Sequence, residues 1–174
     1  MRFCPDCGAA TRRFVPEGDN LERDVCTDCG KIHYINPKVV VGAVCTWDEK
    51  ILLCRRAIDP RSGYWTIPAG FMEVGESTEH GAIRETMEEA NARIEVTDLL
   101  AIYNIVRLSQ VQIFYRAKML TPDFSAGVET LELDLFRIED IPWDDLAFPT
   151  VHWILKKAIA VRDQPPPVVP ELKG

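Results

Sequence analysis

Three carboxylates gather where a helix has least use for them. In "GFMEVGESTEHGAIRETMEEAN", residues 70–91, a loop leads into a helix predicted over 77–90, with Ser77 as N-cap and Asn91 in the C′ place. Glu85, Glu88 and Glu89 lie near its C-terminal end. The helix dipole leaves partial negative charge there, and like charges three or four residues apart repel by about 0.2–0.5 kcal/mol per pair. At about 100° per residue the three glutamates fall within one arc, with Ile83, Met87 and Ala90 opposite as the expected core face. Clustered hard oxygens on a rigid helix suit Mg²⁺ or Mn²⁺, and Mg²⁺ commonly combines a few carboxylates with phosphate oxygens of a substrate. Taken alone, three glutamates also fit a solvated acidic face.

A second constellation is Cys4-x2-Cys7 and Cys26-x2-Cys29, separated by 18 residues, each pair followed by glycine in "CPDCG" and "CTDCG". Two thiolate pairs on tight turns can supply the tetrahedron that Zn²⁺ accepts, and the metal would stabilise a segment too small to fold on apolar burial. Free thiols, disulfides and a redox CxxC are the competing readings; His33 could replace a ligand, but four cysteines suffice. Cys45 and Cys54 lie in apolar runs and read as small buried hydrophobes. Around the cysteines Arg2, Arg12, Arg13, Arg23 and Lys31 face Asp6, Glu17, Asp19, Glu22, Asp24 and Asp28. With no basic excess, a structural or dimer-forming role fits better than nucleic-acid binding.

These groups must be positioned by a chain of 174 residues, enough for one core and a small appendage. Apolar residues make up 47% and no apolar run approaches the roughly 18 residues of a membrane span, so a soluble protein without a membrane partner is expected. "MRFCPDCG" has no apolar signal region, which makes the cytoplasm the expected compartment. A net charge of −7 argues against DNA as a partner and requires bridging cations for an anionic substrate. Runs 38–47 and 51–56, joined by Asp48-Glu49-Lys50, predict a hairpin; "ARIEV", "LAIYNIVRL", "VQIFYRAKML" and "LELDLFRI" read as strands, "TVHWILKKAIAV" as a closing helix, and "DQPPPVVPELKG" as extended or disordered. Strands interleaved with two helices give an α/β or α+β domain with a mixed sheet.

The helix segment also matches G-x5-E-x7-R-E-x-x-E-E at Gly70, Glu76, Arg84, Glu85, Glu88 and Glu89, a coincidence of roughly 10⁻⁷ per start position at average residue frequencies. It resembles the signature box of the Nudix hydrolases, enzymes that use divalent metal to cleave nucleoside diphosphates linked to another moiety. The resemblance implies a Nudix-type α/β/α sandwich over 35–162; the cysteine-bearing segment 1–34 precedes it as a zinc ribbon, and the proline-rich tail 163–174 is expected to be flexible. It implies Glu85, Glu88 and Glu89 as Mg²⁺ (or Mn²⁺) ligands, joined by a carbonyl near Gly70, and an Arg84–Glu76 pair that holds loop to helix. Asn91 stands where the pattern expects Gly, and Thr86 and Ala92 where it expects bulky aliphatics. A homodimer is expected from the resemblance alone.

For the general base, Glu129 and Glu132 in "GVETLELDLF" are the candidates, with Glu132 preferred. Arg55 and Arg56 are candidates for phosphate contact or simple surface residues, and Trp65, Phe71 and Tyr103 for stacking on a base. The ribbon together with "GYWTIPAGF" is similar to zinc-ribbon Nudix proteins that cleave NADH, FAD or ADP-ribose. Ser109-Gln110 lacks the Pro-Trp that follows in the NADH-cleaving branch, so FAD or ADP-ribose is favoured. A housecleaning hydrolase of nucleotides or RNA caps, and a ligand-sensing or nucleic-acid-binding regulator on the same fold, are the alternatives.

Overall fold

Why "CPDCG" and "CTDCG" end in glycine is visible in the backbone: Gly8 and Gly30 adopt φ of 77° and 71°, a left-handed turn that closes each cysteine pair without a Cβ clash. The structure, a computed structural model describing residues 1–173, divides into two compact units, Met1–Pro37 and the chain from Lys38 onward. In the first unit β1 (Thr11–Phe14), β2 (Arg23–Cys26) and β3 (Ile32–His33) form an antiparallel sheet in that order.

The larger unit is a mixed sheet with a helix on each face. Its strands are β4 (Lys38–Trp47), β5 (Lys50–Arg56), β6 (Trp65–Thr66), β7 (Ala69–Phe71), β8 (Ile94–Ile105), β9 (Gln110–Met119), β10 (Thr130–Phe136) and β11 (Glu171–Lys173). The order is β10-β5-β4-β9-β8-β11, with β6 against β5 and β7 against β4; β4 runs parallel to β9 and β11 parallel to β8. Two helices, α1 (Thr78–Ala90) and α2 (Pro149–Ala160), cover it. One core cluster includes Val151, Ile154 and Leu155 of α2 with Val44, Leu53, Leu100 and Tyr103. The other includes Ala82 and Ala90 of α1 with Val41, Ala43, Cys45, Leu52 and Cys54. Strand side chains alternate between faces, so odd positions of β4 lie under α1 and Val44 under α2. Among the described residues no helix is long and apolar enough to cross a membrane.

Several sequence expectations change. The hairpin turn is the pair Asp48 and Glu49, at φ 43° and 63°, and Lys50 already belongs to β5. Ile94–Val96 of "ARIEV" and Leu100–Ile105 of "LAIYNIVRL" belong to one strand, β8, with register shifts at Val96/Asp98 and Leu99/Ala101, while Val106–Leu108 make a 3-10 turn. Its polar middle reads as a break because the groups that satisfy it are distant: Arg116 Nε donates to Asp98 Oδ1 at 2.8 Å, and Thr97 Oγ1 donates to Arg116 O at 2.9 Å. The tail, expected to be extended or disordered, is extended and tied to the sheet. Arg116 Nη1 donates to the carbonyls of Val161 and Gln164, Val168 N–H to Asp98, and Tyr103 OH to Glu171, and Glu171–Lys173 form strand β11 beside β8.

α1 starts and stops where its caps predict: Ser77 Oγ accepts from His80 N–H at 3.2 Å, and Asn91, at φ 47°, donates its N–H to Met87 O. Its rotation differs from expectation. Met87 is 38% exposed, while Gly81, Ala82, Glu85, Thr86, Glu89 and Ala90 form the buried face. Gly81 and Ala82 let the helix approach the sheet closely; a Cβ on Gly81 would meet Val41 Cγ2 at 2.7 Å. Thr86, in place of a bulky aliphatic, is buried with its hydroxyl donated to Ala82 O at 2.8 Å.

Candidate active site

Two of the three helix glutamates are buried, Glu85 at 8% and Glu89 at 7% exposure, and only Glu88 stands in solvent. They turn inward because β7 offers them polar partners. Ala69 N–H donates to Glu89 Oε2 at 3.1 Å, and the Glu85 carboxylate fills the space that a side chain at position 70 would need, so Gly70 is required by contact. Arg84 ties the ensemble together: its guanidinium donates to both oxygens of Glu76 (3.0 and 2.8 Å), to Glu85 Oε1 (2.8 Å), to Glu88 Oε2 (3.0 Å) and to the Phe71 carbonyl (3.0 Å). Five bonds from one fork lock the loop before α1 onto the helix.

Electrostatics separate these acids. Burial pushes Glu89 up to about 8; the charges of Glu85 and Glu129 add to the rise, and the Ala69 N–H and Arg56 oppose it. Burial also raises Glu85, against the pull of Arg84 and with help from Glu88 and Glu129. Glu76 goes the other way, held down to about 2 by Arg84 and the Glu73 N–H.

Glu129, a named candidate and itself exposed, adds its charge to both rises, and the loop just before it is tied to the end of α1. Ser125 N–H donates to Ala90 O and Gly127 N–H to Glu89 O, capping the carbonyl end of α1, and a side chain at 127 would run into the Glu88 carbonyl. The lone glycine of "FSAGVET" was the available signal. Glu132 is engaged elsewhere, accepting from Arg55 Nη1 at 3.1 Å, while Arg55 Nε donates to Gly63 O. Arg56 donates to Pro60 O and lies over the Phe148 ring at 5.3 Å.

The three aromatic candidates separate. Phe71 is exposed, with Lys38 Nζ 4.8 Å from its ring centroid. Trp65 is half-buried, edge-on to Phe136 at 4.9 Å. Tyr103 is no platform for a ligand: it is fully buried between Phe114 and Trp153, a core residue whose hydroxyl is spent on Glu171.

For a divalent cation the donor set fits by chemistry: carboxylate oxygens, two of them on a rigid helix face against backbone with room only for glycine. In the ribbon, the sulfurs of Cys4 and Cys29 lie 3.8 Å apart and those of Cys7 and Cys26 3.4 Å, with all four within 4.8 Å of one another. A tetrahedral zinc with Zn–S of about 2.3 Å has edges of about 3.8 Å. Backbone N–H groups of Asp28 and Cys29 draw the Cys26 thiol down to about 6, towards the thiolate a metal needs. Cys45 and Cys54 are buried and separate from this set, and His33 is buried outside it.

Comparison with known proteins matches both segments of the chain. The family model described as NUDIX domain matches residues 36–157, and the zinc-ribbon model described as Nudix N-terminal matches 2–35. The crystal structure of a NUDIX hydrolase from Nitrosomonas europaea is 46% identical, covers all of both chains and superposes with a TM-score of 0.94. An ADP-ribose pyrophosphatase of Methanocaldococcus jannaschii is 30% identical over 113 residues, 63% of this chain and 67% of that one. An NAD-capped RNA hydrolase NudC of Vibrio atlanticus is 34% identical over 152 residues, 84% of this chain but 50% of that one, so the chain spans about half the length of such relatives. The matched domain takes in well over half the chain, and what six spaced residues resembled is thereby membership: this protein belongs to the Nudix hydrolase family.

Proposed function

We propose that the protein hydrolyses the pyrophosphate bond of a nucleoside diphosphate linked to another moiety, with ADP-ribose or FAD as substrate and AMP as a product. The observation that carries this reading is the buried Glu85–Glu89 pair against Gly70, two acids whose burial is costly and which a divalent cation would offset, a cation able in turn to hold phosphate oxygens. Glu85, Glu88, Glu89 and the Gly70 carbonyl would hold Mg²⁺ or Mn²⁺. Bound there, the cation supplies charge neutralisation on the phosphate oxygens and a more acidic water.

The chain's own residues do the rest. Arg84 and Glu76 hold the loop so that β7 keeps its place against α1. Arg56, whose charge already reaches Glu89, is the better phosphate contact, because Arg55 is occupied by Glu132. For the general base the preference reverses from Glu132 to Glu129: the first is paired, and the second shares the field of Glu85 and Glu89. Zinc in the ribbon is structural in this reading; a homodimer goes with it through resemblance alone.

The test is an activity panel with Mg²⁺ and Mn²⁺ on ADP-ribose, FAD, NADH and NAD-capped RNA, with products identified. AMP from ADP-ribose or FAD is expected; no cleavage of any would overturn the reading. NADH or capped RNA is the second reading, favoured by the breadth of the NudC match and opposed by the missing Pro-Trp after Ser109-Gln110.

A further inference from the structure

The residue that ends α1 does more than end it. At φ 47° the backbone of Asn91 turns left-handed and stops the helix, a task that glycine performs at least as well. Its side chain has a second use. Asn91 Nδ2 donates to the backbone carbonyl of Ser125 at 3.0 Å, across 34 residues of sequence. A carbonyl oxygen can only accept, so the partner itself fixes which end of the amide points at the loop. Glycine at this position would end the helix and leave the Ser125 carbonyl to water.

Segment 120–129 contains neither helix nor strand. Ser125, Ala126, Val128 and Glu129 are exposed, so hydrogen bonds rather than packing must fix this stretch. Two backbone bonds lie next to the amide: Ser125 N–H donates to Ala90 O at 2.9 Å, and Gly127 N–H to Glu89 O at 3.0 Å. Upstream, Phe124 is half-buried against the core layer under α1. Downstream, Ala57 N–H donates to Glu129 O at 2.8 Å, and β10 begins at Thr130. Among the described residues, the Asn91 amide is the one side chain that bonds this stretch from outside it. What the stretch delivers is Glu129, two residues past the glycine that leans on the end of α1, with its charge felt at Glu85 and Glu89.

We infer that Asn91 is a positioning residue: through the Ser125 carbonyl it fixes the loop at 125–128, and with it where the Glu129 carboxylate stands relative to Glu85 and Glu89. Its effect on turnover rests on the reaction proposed above, in which Glu129 is the base; the tether itself does not. Asn91 acts through the loop and touches no substrate. Displacing a proton acceptor lowers kcat and leaves the contacts that hold the ground state, so KM is spared.

The test uses the full chain. Asn91→Gly keeps the left-handed turn and removes the amide; Asn91→Asp keeps the turn and the shape but sets an acceptor against the Ser125 carbonyl. In either variant, hydrogen exchange read by mass spectrometry should be about fivefold faster across 120–129, as for the loss of one neutral hydrogen bond, with β4 and β9 unchanged. With Mg²⁺ and ADP-ribose or FAD, kcat should fall about three- to tenfold while KM stays within about twofold. In a Glu129→Gln background, Asn91→Gly should change kcat by less than about 1.5-fold, because the group it positions is already gone. Equal losses in the two backgrounds would mean that Asn91 acts on Glu88 and Glu89 through the helix end, and would overturn the inference. Unchanged exchange of the loop, or faster exchange with kcat intact, would overturn it too. Cleavage of neither diphosphate by the wild type would refute the proposed reaction, and the exchange result would then decide the tether by itself.

Discussion

Arg84 shows how one side chain can hold opposite charges to different tasks: it keeps Glu76 ionised and shares Glu85 and Glu88 without quenching the rise of Glu89. The pH consequences have opposite signs. Glu89 has a folded value raised to about 8 from an ordinary 4.5, so in the metal-free protein it is a carboxylic acid through neutrality, and it disfavours the fold increasingly as pH rises from 4.5 to 8. A cation needs the carboxylate, so its binding releases a proton below pH 8 and its affinity should rise by about tenfold per pH unit until it levels off there. Titration with Mg²⁺ between pH 6.5 and 8.5 measures this; a flat affinity would contradict it. Glu76, lowered to about 2, contributes stability that is full above 4.5 and lost as pH falls through 2, so Glu76→Gln should remove that acid limb from an unfolding curve. At the same scale, Glu129→Gln should cut kcat by about 10²–10⁴ with little change in KM, whereas Glu132→Gln should stay within about threefold of wild type. Equal losses would return the base to the pair as a whole.

Among elements, α1 was the most legible, since Ser77 and Asn91 mark its ends by local chemistry that any helix obeys. Its rotation was not. Periodicity placed Met87 inside and the glutamates outside, but the Ala69 N–H that Glu89 accepts from and the space at Gly70 lie far from α1 in the pattern and close in the fold. β8 was divided for a related reason: Asp98 looks like a break until Arg116 is placed beside it. Tyr103 looked like a free aromatic because its partners Phe114, Trp153 and Glu171 come from three other elements. The segment that caps α1 is the most sensitive spot of this kind. Gly127→Ala drives a Cβ into the Glu88 carbonyl, and should cost roughly 1–3 kcal/mol in urea unfolding while displacing Glu129 and lowering turnover.

For the whole molecule, the division into ribbon and catalytic unit was readable from cysteine spacing and the change of pattern near residue 36, because each unit has its own means of stability. The ribbon relies on four sulfurs and the larger unit on two apolar layers. Chelation of zinc should therefore speed hydrogen exchange across residues 1–37 and leave the strands beyond Lys38 protected; uniform protection throughout would show that metal does not hold the ribbon. How the extended tail is tied down was not legible, because its proline-rich composition says nothing of Asp98, Arg116 and Tyr103, the distant groups that bind it.

The alternation of β7, with Gly70 turned to Glu85 and Phe71 to the other side, also bears on how such a protein could diverge. Position 70 answers to the Glu85 carboxylate and position 71 does not, so the two can drift separately. A library randomised at position 71 should yield descendants that still bind a divalent cation, while one randomised at position 70 should lose that binding wherever a Cβ displaces the Glu85 carboxylate.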